Sequence, residues 1–72
     1  MNRVPVISSN LSEVGYDPGT RTLEIAFNQG GVYRYSGVPP LIYEGLMSAT
    51  SHGRFFDANI KKAGYTFRRI ST

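Results

Sequence analysis

The segment Thr22-Leu23-Glu24-Ile25-Ala26-Phe27 alternates cleanly, placing Leu23, Ile25 and Phe27 at every second position. A period of two belongs to a strand with one face turned to a core. Turn chemistry flanks it on both sides. Asp17-Pro18-Gly19-Thr20 precedes it, where proline presets φ and glycine accepts positive φ, and Asn28-Gln29-Gly30-Gly31 follows it. Leu11 to Tyr16 and Val32-Tyr33-Arg34-Tyr35 read as the neighbouring strands, and connections this short make an antiparallel meander. Upstream, Val4 and Val6 alternate around Pro5, which has no backbone N–H to donate, so this segment is an edge strand or an extended arm. Met1-Asn2-Arg3 is expected to fray.

Beyond Gly37 the period changes. Pro39 and Pro40 cannot continue a strand but are preorganised for the first turn of a helix. Ile42, Leu46 and Ala49 follow at i, i+4 and i+7, with Tyr43 and Met47 as a second pair, which predicts a helix over 39–49. Gly45 inside it reads as a weakness of about 1 kcal/mol relative to alanine. A second helix is expected from Ser51 or His52 to Lys62, capped by Ser51, with Phe56, Ile60 and Ala63 as its apolar stripe and Gly64 as its stop. Tyr65-Thr66-Phe67-Arg68-Arg69-Ile70 has strand propensity and is expected to return to the sheet. The fold class is therefore α+β: a small antiparallel meander, a helical hairpin packed on one face, and a C-terminal strand.

Hairpin register decides where Tyr33 and Tyr35 point. With a three-residue loop at Asn28-Gln29-Gly30, Ile25 lies opposite Tyr33 and Leu23 opposite Tyr35, and both tyrosines join the apolar face. A two- or four-residue loop pairs Phe27 with Val32 and moves them to the face of Glu24 and Ala26. In the first register they are core aromatics with hydroxyls at the rim. In the second, with Arg34 nearby, they form an open platform on which bases stack. A glycine closing a three-residue loop is a common bulged hairpin and favours the first.

The chain has 72 residues and no cysteine, which allows one domain and excludes disulfides and thiolate metal sites. Its net charge is +3, unevenly spread. Residues 1–53 hold Arg3, Arg21 and Arg34 against Glu13, Asp17, Glu24 and Glu44. Residues 54–72 hold Arg54, Lys61, Lys62, Arg68 and Arg69 against Asp57 alone. A basic tail of this kind is either a solvated face or a footprint for phosphate or an acidic partner.

Several runs carry a family resemblance: Ser8-Ser9-Asn10-Leu11, Val14-Gly15-Tyr16-Asp17, Leu23-Glu24-Ile25 and Val32-Tyr33-Arg34-Tyr35. Val38-Pro39, Tyr43, Ser51-His52-Gly53-Arg54-Phe55-Phe56 and Asn59-Ile60 extend it. The sequence resembles the KTSC domain, which occurs at the C-terminus of some lysyl-tRNA synthetases and as free-standing small bacterial proteins. The likeness spans about residues 6–70 and implies a single domain over 1–72. The family's tyrosine-any-tyrosine motif falls on Tyr33 and Tyr35. The resemblance implies no established activity, and its suggested role is binding of nucleic acid, specifically RNA.

Ser51, His52 and Gly53 open the second helix, where backbone N–H groups and a nearby Arg54 suit an anion; the same residues also suit an ordinary capped turn. His52 is the single histidine, Ser51 is its neighbour in sequence, and the five carboxylates are scattered along the chain. No catalytic group, metal site or cofactor is expected. Nor is a membrane partner expected, and the lack of a targeting segment points to the cytoplasm. The chain therefore reads as a non-catalytic module binding RNA or other nucleic acid. Arg54, Lys61, Lys62, Arg68 and Arg69 would contact phosphate, while Tyr33 and Tyr35, with Arg34 nearby, would stack on bases only if the sheet face is open. The alternative is a module for a protein partner or a homodimer, pairing through the edge around Val4 to Ile7.

Overall fold

The computed structural model of the protein describes residues 1–71. Five strands, β1 (Arg3–Pro5), β2 (Leu11–Asp17), β3 (Thr22–Phe27), β4 (Val32–Tyr35) and β5 (Phe67–Ser71), form one sheet in sequence order. Every neighbouring pair is antiparallel. The Asp17 carboxylate accepts the Gly19 N–H at 2.9 Å, but Arg21, at φ 56°, and not Gly19 takes the left-handed conformation at this turn. Gly30 and Gly31 take φ of 103° and 89°, the left-handed region that glycine enters without a Cβ clash. Phe27 N–H donates to Gly31 O, which leaves Asn28-Gln29-Gly30 as a three-residue loop. Leu23 accordingly lies opposite Tyr35 and Ile25 opposite Tyr33, as the favoured register requires.

Between β4 and β5, α1 (Pro40–Ser48) and α2 (His52–Phe56) pack on one face of the sheet. The core they close is built from Leu11, Val14, Leu23, Ile25, Tyr35, Val38, Leu46, Phe56 and Ile60. Tyr43 of α1 stacks on Tyr16 of β2, with ring centroids 4.7 Å apart and planes within 8°. The Tyr16 hydroxyl donates to the Val38 carbonyl, which fixes the entry into α1. The second helix departs from expectation. It is α-helical only to Phe56 and widens into a π-helical turn over Asp57–Lys61. Ile60 stays fully buried, but helical geometry ends at Lys61, so Ala63 leaves the expected stripe and is exposed. Beyond Gly64, at φ 88°, the last strand starts at Phe67, two residues later than its propensity suggests.

Gly45 has a packing reason that helix propensity hides. A Cβ built on it would lie 2.6 Å from Phe55 Cζ, so the Phe55 ring of α2 rests on the bare backbone of α1. Gly45→Ala should therefore destabilise by about 1–2 kcal/mol, because ring displacement outweighs the propensity gain. Urea unfolding followed by circular dichroism checks the sign; stabilisation would show that Phe55 moves freely.

On the face opposite the helices, one row crosses all five strands: Arg3, Gly15, Glu24, Arg34 and Arg68. Glu24 is 4 % exposed. Its carboxylate accepts from Arg3 Nη1 at 2.7 Å and from Arg34 Nε at 2.9 Å. Met1 to Arg3, expected to fray, lie over Gly15, where a Cβ would meet Asn2 O and Arg3 Cγ at 3.0 Å. Val6 packs against the core while Ile7 is 96 % exposed. Among the described residues, no helix is long and apolar enough to cross a membrane.

Candidate nucleic-acid interface

The helices leave β5 open to solvent. Every residue of that strand is exposed, including Phe67 at 57 %. A groove of about 520 Å³ therefore opens between the β4–β5 side of the sheet and the π-helical turn. Strand alternation builds its floor: Tyr33 and Tyr35 project to the helix side of β4, and Arg69 and Phe67 stand opposite them on β5. The rings form a continuous edge-packed set. Tyr33 meets Phe27 at 5.6 Å with planes at 81°, and Tyr35 meets Phe56 at 5.6 Å and 78°. Phe67 lies 6.0 Å from Tyr33 and 5.4 Å from Tyr35.

The two tyrosines have separated roles. Tyr35 is 5 % exposed and belongs to the core; burial, and then the neighbouring Tyr33, push its hydroxyl up to about 12. Its burial takes it out of the stacking pair that an open sheet face would have given, in line with the favoured register. Tyr33 is half-buried and lies over the groove with Phe67 beside it. Arg69 Cζ stands 5.8 Å from the Tyr33 ring centroid, a cation–π distance. Lys61, from the π-helical turn, lines the groove itself. Positive charge and an aromatic surface thus lie side by side.

The remaining basic residues are divided by geometry. Arg68 pairs with Arg34 across the β4–β5 ladder and faces away from the groove, because successive strand residues point to opposite sides. Arg34 is spent on Glu24, so neither it nor Arg68 joins Tyr33. Lys62 forms an ion pair with Asp57 at 3.2 Å. Arg54 lies in an adjoining depression with Ser9, Asn10 and Ser51.

The start of the second helix is capped as an ordinary turn. The Ser51 hydroxyl accepts from the Arg54 N–H at 3.2 Å, and the Ser51 carbonyl accepts the first intrahelical bond, from the Phe55 N–H. His52 Nδ1 lies 2.8 Å from the Leu46 carbonyl, which can only accept, so Nδ1 carries the proton and ties α2 to α1. Gly53 gives the 8–10 loop its close approach: a Cβ there would stand 3.2 Å from Asn10 Nδ2. Phe27, Phe56 and Phe67 were missed as groove residues. Phe67 and Arg69, two apart in a strand, were the available signal for a shared face.

Residues 7–65 match the KTSC domain. The chain belongs to the KTSC domain family. This KTSC domain is 43 % identical over 70 residues to an uncharacterized protein of Stutzerimonas stutzeri, covering 97 % of this chain and 99 % of that one. It is also 38 % identical over 63 residues to a lysine–tRNA ligase of Nostoc punctiforme, covering 88 % of this chain but 11 % of the ligase. A crystal structure of a KTSC domain protein from Yersinia pestis superposes with a TM-score of 0.92 at 47 % identity, covering 97 % of each chain. The α+β architecture of this KTSC domain is that of a solved family member.

Proposed function

We propose that this KTSC domain is a non-catalytic RNA-binding module and that the groove at Tyr33 is its contact surface. The observation that carries the reading is the meeting of Tyr33, Phe67 and Lys61 around one concavity, with Arg69 beside it over the Tyr33 ring. Rings offer a base a stacking surface worth about 1–3 kcal/mol, and two cations neutralise backbone phosphate. That relatives of this domain include proteins named lysine–tRNA ligases fits an RNA ligand. No acid–base pair or activated nucleophile stands in the groove; Asp57, its carboxylate, is paired with Lys62.

The test is anisotropy of a labelled short single-stranded RNA across a salt series. Each phosphate contact on a single strand lowers log K by about 0.7 per tenfold rise in salt, so Lys61 and Arg69 together give a slope near about −1.4. Lys61→Glu with Arg69→Glu should abolish binding and leave the fold intact, since both side chains are exposed. Arg68→Glu, on the opposite face, should weaken binding far less. Equal losses from Arg68→Glu and Arg69→Glu would mean a diffuse charge effect and would remove the groove from the account.

A further inference from the structure

The groove does not end at the π-helical turn. It shares Asn10, Gly53 and Asp57 with the depression that holds Arg54. Resting on the RNA-binding reading above, we infer that the two concavities are consecutive subsites for an unpaired RNA segment. The aromatic groove takes one base and its phosphate, and Arg54 takes the next phosphate.

Asn10, Gly53 and Asp57 line both concavities. Gly53 carries no side chain, and the Asn10 amide packs over it, since a Cβ there would stand 3.2 Å from Asn10 Nδ2. Charge is arranged at the two ends and not between them. Lys61 lines the aromatic end, with Arg69 over the Tyr33 ring next to it, and Arg54, which has no ion pair among the described residues, lines the other together with Ser9. Asp57 stands between, its carboxylate held by Lys62 at 3.2 Å, and it disfavours phosphate in the middle of the path. Among the described residues no hydrogen bond uses the side-chain amides of Asn10 or Gln29, which lie at the groove and carry both donors and acceptors for a base edge. The occupant is a single strand and not a duplex. The Tyr33 ring sits inside a concavity between sheet and helix, which a base reaches only when it is out of a stack.

The experiment compares binding of 5′-AMP, 5′-phosphorylated ApA and an RNA duplex by amide-shift titration, for the native chain and for Arg54→Ala. The dinucleotide should bind more tightly than the mononucleotide. Arg54→Ala should remove that advantage, about a tenfold loss for the dinucleotide, and leave the mononucleotide unchanged. The duplex should bind more weakly than a single strand of the same sequence. If Arg54→Ala does not move dinucleotide affinity, or the duplex binds as well, while RNA still depends on Lys61 and Arg69, the second subsite is wrong and the groove reading stands. If no RNA binds at low salt, both fall together.

Discussion

Tyr35→Ala is expected to cost about 3–5 kcal/mol, whereas Tyr33→Ala costs about 1–2 kcal/mol and removes RNA binding. The two residues lie two apart on one strand face, yet only Tyr35 is sealed beneath Phe56 and Phe67. A domain of this size has a total stability of about 4–11 kcal/mol, so losing Tyr35 leaves little of it. Urea unfolding of both variants, followed by circular dichroism, measures the difference. Tyr35→Phe keeps the ring and should cost less than about 1.5 kcal/mol. Similar losses from the two alanine variants would contradict the division of the motif into a core residue and a surface residue. Burial of Tyr35 adds a pH signature. Tyr35 keeps its proton to about 12, while in the unfolded chain it ionises near the ordinary tyrosine value of about 10. Its contribution is whole below the lower value and is lost as the pH rises toward the upper one.

Glu24→Ala is the second large effect, expected at about 2–4 kcal/mol. The carboxylate is 4 % exposed and bonded on both sides, and its removal leaves two arginines converging on each other. The lower end of that range reflects partly solvated partners, since the Arg3 and Arg34 side chains are 32 % and 49 % exposed. Burial alone would raise the Glu24 carboxyl. Hydrogen bonds from Arg34 and Arg3, with the charges of both, outweigh it and hold the group below the usual range. Its folded value is thus depressed, so the stabilisation is present above the unfolded value of about 4.3 and disappears as acid protonates the folded state. Urea midpoints of the native chain should fall on acidification through this window more steeply than those of Glu24→Ala. Parallel pH profiles would show that the two arginines do not couple to this carboxylate.

Local chemistry in the sequence accounted for most of the fold. Alternation at Leu23, Ile25 and Phe27 placed β3 at its observed limits, and the Asn28-Gln29-Gly30 loop set the register that turns both tyrosines to the helix side. The π-helical turn was not legible, because Phe56 and Ile60 lie four apart and satisfy an α-helix equally well. The row through Glu24 depends on which strands become neighbours, a long-range fact that joins Arg3 to a residue 21 positions away. For the site, counting charges along the tail merged Arg68 with Arg69, although strand alternation sends them to opposite faces. The aromatic floor was half legible. Tyr33 and Tyr35 stood out, but Phe27, Phe56 and Phe67 join them only through tertiary packing.

The most direct measurement is an NMR titration of the native chain with a short single-stranded RNA at low salt, mapped residue by residue. Shifts are predicted at Tyr33, Lys61, Phe67 and Arg69, around the groove, with Arg3, Arg34 and Arg68 on the opposite sheet face unmoved. Shifts centred on that opposite face, or none at all, would contradict an RNA site at Tyr33.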